Sequence, residues 1–198
     1  MIIVGLGNPG SEYGETRHNI GFQVVESFSE KFSIPLRDKK LGQCSNIVWG
    51  KGKVGEQEVI LLLPQTFMNN SGEAVRSVLE YFRLTGENLL VVHDDLDLPL
   101  GSFRFDLKAS AAGHRGVQSV IDHLGSPDFY RFRFGIGRPT VREEDIVSYV
   151  LSSFGAEEKK KLPALKKEAV QAIEMFLSEG SLPKGLEKVQ QKYHHKGV

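Results

Sequence analysis

Apolar residues cluster or alternate in six short stretches, over 2–6, 45–48, 58–63, 89–93, 102–107 and 130–136. Such β-branched or period-two runs predict strands. Between them the apolar period lengthens to that of a helix. Phe22, Val25, Phe28 and Phe32 share one face of a helix predicted over 22–32. A second helix is predicted after Asn70 and Ser71, either of which suits a cap, with Ala74, Val75, Val78, Leu79 and Phe82 turned inward. A third is predicted over 116–124 and a longer one over 157–177, with a short amphipathic helix over 183–192 before a polar tail.

Strands alternating with helices predict an α/β layered fold. The stretches at 45–48 and 58–63 are separated by a segment carrying Gly50, Gly52 and Gly55, which predicts an antiparallel hairpin. The sheet is therefore expected to be mixed and twisted, flanked by helices. No repeat, low-complexity run or linker divides the 198 residues, so a single globular domain over 1–198 is expected.

Composition narrows the class. The 40% hydrophobic content is that of a soluble globular protein. Cys44 is the single cysteine, which excludes an internal disulfide and favours the cytoplasm. No stretch approaches the ~20 apolar residues of a membrane span, and no basic leader is visible, so no membrane partner is expected. Lys plus Arg and Asp plus Glu balance at 25 each, but unevenly along the chain. Residues 87–99 carry Glu87, Asp94, Asp95 and Asp97 with no basic residue. Residues 100–142 carry seven basic residues against three acidic ones, and 157–198 nine lysines against six glutamates. A basic sector beside an acidic knot suits a polyanion whose reactive end meets a carboxylate-oriented base, although a mixed solvated surface reads the same way.

The chemistry-bearing residues fall where predicted strands end. Gly5-Leu-Gly7-Asn8-Pro9-Gly10 matches the dinucleotide fingerprint letter for letter. That fingerprint requires the third glycine to open a helix, whereas Pro9 restricts Asn8 to extended or turn geometry and no apolar helical period begins before Ile20. A nicotinamide site is therefore set aside. The loop instead leads to Tyr13 and to Thr16-Arg17-His18-Asn19. Three more blocks follow: Pro64-Gln-Thr-Phe67-Met68-Asn69-Asn-Ser-Gly72, His93-Asp94-Asp95-Leu-Asp97, and Lys108-Ala109-Ser-Ala-Ala112-Gly113-His114-Arg115-Gly116. His194-His195 and Cys44 do not make a four-ligand set, so no metal is expected.

Taken in order with Arg133-Phe-Gly-Ile-Gly-Arg-Pro139, these motifs resemble the bacterial peptidyl-tRNA hydrolase family over essentially the whole chain. The resemblance implies an α/β fold with a mixed sheet, no cofactor, and cleavage of the ester between a peptide and the terminal ribose of tRNA. By this resemblance His18 is the general base and Asp94 orients it, which suits a neutral imidazole activating water near pH 7. Asn8, Asn69, Tyr13, Phe67, Met68, Gly113 and His114 are implied to line the substrate site. The two amides offer donors and acceptors to substrate carbonyls, and Met68 offers soft apolar contact.

The small-residue loop departs from the family pattern, which usually reads Lys-Gly-Ser-Ala-Gly-Gly-His-Asn-Gly. Here Ala109 and Ala112 replace glycines, which predicts a stiffer loop, and Arg115 stands where the family's substrate-positioning asparagine is expected. Arg115 keeps donors, lacks an acceptor, and carries a charge able to contact phosphate or to repel a proton from a nearby imidazole. For tRNA phosphates, Lys108 and Arg133 are the cations the resemblance supports most. Arg104, Arg138, Arg142 and the C-terminal lysines are further candidates. The expected partner is peptidyl-tRNA, through its acceptor end and phosphates, with the protein monomeric. The alternatives are an RNA-binding module with a compromised site, which turnover of peptidyl-tRNA excludes, and an aminopeptidase-like hydrolase, which digestion of free peptides or metal dependence would favour.

Overall fold

A computed structural model describes residues 1–139 and 145–193. In chain order the elements are β1 (Ile2–Gly5), α1 (Ile20–Lys31), β2 (Arg37–Asp38), β3 (Ile47–Val54), β4 (Gln57–Pro64), α2 (Ser71–Phe82), β5 (Leu89–Asp95), β6 (Phe103–Leu107), α3 (Arg115–Leu124), β7 (Tyr130–Gly135), α4 (Ile146–Val150), α5 (Ala156–Ser178) and α6 (Leu182–Tyr193). Seven strands form one sheet in the order β2-β3-β4-β1-β5-β7-β6. The four central strands β4, β1, β5 and β7 run parallel, while β2–β3–β4 at one edge and β6 at the other pair antiparallel. The expected mixed sheet flanked by helices is what the chain forms.

The near-continuous apolar runs of β1 and β5 reflect burial on both faces. Alternation divides each strand between two cores. Ile3, Leu61, Leu90 and Phe132 pack under α1, α5 and α6 with Phe28, Ile173 and Phe176. Ile2, Val4, Leu62 and Val91 pack under α2 and α3 with Val75, Val78, Val117 and Val120. The inward set expected for the second helix holds, Ala74, Val75, Val78 and Leu79 being buried and Phe82 partly so.

The differences from the expected elements have local causes. The second predicted strand continues through Gly50 and Gly52 to Val54. These glycines are close-approach positions: a Cβ at Gly50 would lie 2.5 Å from the Pro35 carbonyl oxygen, and one at Gly52 2.6 Å from the Ile34 side chain. Only Gly55, at φ 58°, serves the turn. α4 was not anticipated, because five residues are too short to show a helical period. Arg142, His194 and His195 lie outside the described residues.

The parallel strands deliver their C-terminal ends to one end of the sheet. There β1 leads to α1 on one face and its neighbour β4 leads to α2 on the other, which makes their junction a topological switch point. Ligands bind in the crevice such a junction opens.

Candidate active site

His18 sits in a 3-10 turn, Arg17–Asn19, on the way from β1 to α1. Its two neighbours are anchored in different directions. The buried Arg17 guanidinium donates to Ser152 Oγ at 2.7 Å and to Glu158 Oε2 at 2.7 Å, and lies 4.4 Å from the centre of the Tyr149 ring. Asn19 Oδ1 accepts from the Asn8 N–H and its Nδ2 donates to the Asn8 carbonyl, each at 2.9 Å. The turn is thus tied to the α4–α5 segment on one side and to the end of β1 on the other.

This brings His18 Nδ1 to 2.8 Å from Asp94 Oδ1, although the residues are 76 apart in sequence. A carboxylate only accepts, so the hydrogen is on Nδ1 and the lone pair is on Nε2. Asp94 is buried in the last turnings of β5 and receives a second imidazole, His114 Nε2, at 2.9 Å on the same oxygen. Burial pushes the His18 imidazole down. The charge and hydrogen bond of Asp94 more than offset this, so His18 titrates above its ordinary value, while Arg115 pulls it back. Burial raises the Asp94 carboxyl, but its two imidazole partners hold it well below the usual carboxylate range. His93 is held neutral by burial above all, and its Nδ1–H donates to the Asp94 carbonyl at 2.7 Å.

These groups line a cleft of about 500 Å³ together with Asn8, Phe67, Met68, Asn69, Gly113, His114 and Arg115. Asn8 Oδ1 accepts from the Met68 N–H at 2.9 Å, which can only be an oxygen, so its Nδ2 remains as a donor. Asn69 and Phe67 are exposed on the rim, and Met68 is buried against Gly116, where a Cβ would stand 2.3 Å from its sulfur. Ile146, Val147, Val150 and Leu151 of the α4 segment close the opposite wall. A wider, shallower groove of about 810 Å³ between the ends of α2 and α3, beside Arg76, Glu80, Asp122 and His123, gathers no comparable set.

Not every expected site residue reaches the cleft. Tyr13 is half-buried and does not line it; its carbonyl accepts from Thr16 Oγ1 at 2.8 Å. Lys108 is exposed and lies 3.5 Å from Asp128. Arg133 is mostly buried, with Nε 2.6 Å from Asp95 Oδ2 and a terminal nitrogen 2.9 Å from Asp106 Oδ2. The Arg115 side chain is exposed at the rim and makes no hydrogen bond or ion pair among the described residues. Of the two alanines expected to stiffen the small-residue loop, Ala112 stands in a strained conformation. Its φ of 48° is left-handed, where a Cβ adds strain. The loop is also secured by Arg131, buried in β7, which donates to the carbonyls of Ala109 and Ser110.

Sequence reasoning missed Arg17, Asn19, Arg131 and the apolar wall of α4. Asn19 carried a signal, since it stands in the same motif as His18. Arg17 stands in that motif too, but its burial and its partners more than 130 residues away are not legible there, and Arg131 carried no signal beyond its charge.

His18, Asp94 and His114 put their ligand-type atoms within 4.8 Å of one another, close enough to hold a cation. Their protons argue otherwise. His114 Nδ1 accepts from the N–H groups of Gly116 and Val117 at 3.1 and 3.2 Å. A neutral imidazole bound to a metal through Nε2 would need its hydrogen on that same Nδ1. The three groups fit a hydrogen-bonded relay better than a metal centre.

A family model described as peptidyl-tRNA hydrolase matches residues 2–197. The peptidyl-tRNA hydrolase of Aquifex aeolicus (strain VF5) is 48% identical over 173 residues, covering 87% of each chain. That of Bacillus subtilis (strain 168) is 43% identical over 178 residues, 90% of this chain and 92% of the relative. The solved structure of peptidyl-tRNA hydrolase from Acinetobacter baumannii superposes with a TM-score of 0.83 at 34% identity, covering 95% of this chain and 93% of that one. On the strength of its ordered motifs, its sheet and these matches, the chain belongs to the peptidyl-tRNA hydrolase family.

Proposed function

We propose that this chain hydrolyses the ester joining a peptide to the 3'-terminal ribose of tRNA, with His18 as general base. The observation that carries this reading is the 2.8 Å contact between His18 Nδ1 and Asp94, which leaves Nε2 as the acceptor on the cleft side. Nε2 takes a proton from a water as the water oxygen bonds to the ester carbonyl carbon. The resulting tetrahedral intermediate then expels the ribose oxygen, which recovers the proton from the imidazolium. Asp94 holds the productive tautomer and stabilises that imidazolium, following the logic of an oriented base in hydrolytic triads.

Asn8 Nδ2 and the Asn69 amide donate to substrate carbonyls. A site built on such donors disfavours an aminoacyl-tRNA whose free amine presents no peptide carbonyl. Phe67, Met68 and the α4 wall supply apolar contact for varied peptide side chains. Gly113 shapes the loop beside the reacting carbonyl, and Tyr13 acts through its backbone rather than its ring. Lys108, exposed and only loosely paired, is the best placed of the expected phosphate contacts. Arg133 reaches phosphate only by leaving two carboxylates, so its contribution is chiefly to hold Asp95 and β6. Because one chain supplies base, orienting acid and amides, we read the active unit as a monomer. We place it in the cytoplasm, where its substrate is made. Among the described residues no helix is long and apolar enough to cross a membrane.

The test is turnover of N-acetylated aminoacyl-tRNA by His18→Ala. Loss of about 10²–10⁴ in kcat with an unchanged melting temperature is expected. Unaltered turnover would end the assignment of His18.

A further inference from the structure

We propose that His114 is a positioning residue rather than a substrate ligand: the N-terminus of α3 fixes its tautomer, and that tautomer supplies a permanent neutral donor to Asp94. The inference rests on the hydrolytic reading above for its kinetic consequence, but not for its geometry.

The first turn of a helix leaves backbone N–H groups without intrahelical partners, and a capping side chain must present an acceptor to them. At α3 the cap is His114, in extended geometry, whose Nδ1 accepts from the N–H groups of both Gly116 and Val117. A ring nitrogen that accepts carries no hydrogen, so in the neutral ring the hydrogen is on Nε2. Nε2 lies 2.9 Å from Asp94 Oδ1, where it can only donate. Asp94 Oδ1 therefore receives two N–H donors of different kinds. The one from His114 is set by the backbone of α3. The one from His18 belongs to the group that gains and loses a proton in the reaction.

The surroundings hold this arrangement in place. The His114 ring lies 4.8 Å from His18 on one side and 4.8 Å from His93 on the other, centroid to centroid. His93 in turn donates to the main-chain carbonyl of Asp94, and Arg131 ties down the loop that precedes His114. Among the described residues, the charged or titratable groups facing His18 are thus Asp94 from β5, His114 from the cap and Arg115 from the first residue of α3, with His93 behind His114. A fixed donor on Asp94 spreads its charge and tempers the pull it exerts on the His18 proton. Without it, the carboxylate binds the imidazolium more strongly and the base stays protonated to higher pH.

Two substitutions separate the roles. Asn places an acceptor where Nδ1 stands and is among the best caps, but it is too short to reach Asp94. Gln places an N–H where Nε2 stands and forgoes the cap. His114→Asn is expected to melt like the parent, yet to lose about tenfold or more in kcat, with the acid limb of kcat/KM displaced upward by about half a pH unit or more. His114→Gln is expected to melt lower, with its acid limb near the parent's. A purely structural role predicts the reverse ranking, with Asn matching the parent and Gln the poorer enzyme. Nitrogen-15 spectra of the parent imidazoles provide a readout without substrate, in which His114 should show hydrogen on Nε2. Hydrogen on Nδ1, or a His114→Asn enzyme with the parent's kcat and acid limb, would overturn the proposal. A parent protein inactive on peptidyl-tRNA would instead sink the hydrolytic reading, and the nitrogen spectrum would then decide the tautomer on its own.

Discussion

Asp94 Oδ1 is the atom on which the site turns, because it accepts from two imidazoles that arrive on different elements. The protonated form of His18 is favoured by that carboxylate and disfavoured by burial and by Arg115. Since the proposed base acts only when neutral, the acid limb of kcat/KM should fall above the ordinary imidazole value of about 6.5. Arg115→Asn removes the cation that, among the described residues, acts on His18, so the imidazolium becomes easier to form and the limb should move further up. The side chain is exposed and screened, so a displacement of a few tenths of a pH unit is expected, shrinking at about 1 M salt. A limb that moves downward would contradict the assigned role of Arg115. At this scale His18, Asp94 and Asn8 were legible, because each stands in a motif at a strand end. The direction of the Asn8 amide and the tautomer of His114 were not. Both are set by backbone N–H groups of other segments, at Met68 and at Gly116 and Val117.

Among the elements, the short turn that carries His18 depends on a buried arginine. Arg17 connects it to Ser152, Ser153 and Glu158, and stacks near Tyr149 and Phe154. The same side chain therefore positions the proposed base and the α4 wall of the cleft. Arg17→Met keeps much of the apolar packing but strands the acceptors it served. It should cost about 2 kcal/mol or more, and should lower kcat even at temperatures where the protein remains folded. Thermal melts together with turnover measurements check this, and full activity at parental stability would show that the turn holds without it. The helices were legible from their apolar faces, whereas the length of β3 was not. Gly50 and Gly52 look like turn residues in sequence, but they are there because Ile34 and Pro35 leave no room for a Cβ. The strain at Ala112 was hidden for the complementary reason, since a sequence does not display the sign of φ.

In the molecule as a whole, a parallel sheet gathers strand ends from distant parts of the chain. Asn8 follows β1, Met68 and Asn69 follow β4, and Asp94 stands one residue before the end of β5, while two cores on opposite faces hold those strands in register. The α/β class was legible because strand and helix periods alternate. The closeness of positions 18 and 94 was not in the spacing of the residues; it was implied by resemblance and follows physically from β1 and β5 being neighbours. The basic sector, too, read more simply in sequence than in space, since Arg133 and Arg131 turn inward to carboxylates and carbonyls while Lys108 faces solvent. The proposed chemistry therefore depends on one long-range contact, the hydrogen bond from His18 to Asp94. The most direct measurement is the pH dependence of kcat for Asp94→Asn on N-acetylated aminoacyl-tRNA. The variant is expected to be folded, with kcat lower by at least about 10² and an acid limb displaced downward, because the imidazolium has lost its counter-charge. Parental turnover with an unmoved acid limb would contradict the proposed chemistry.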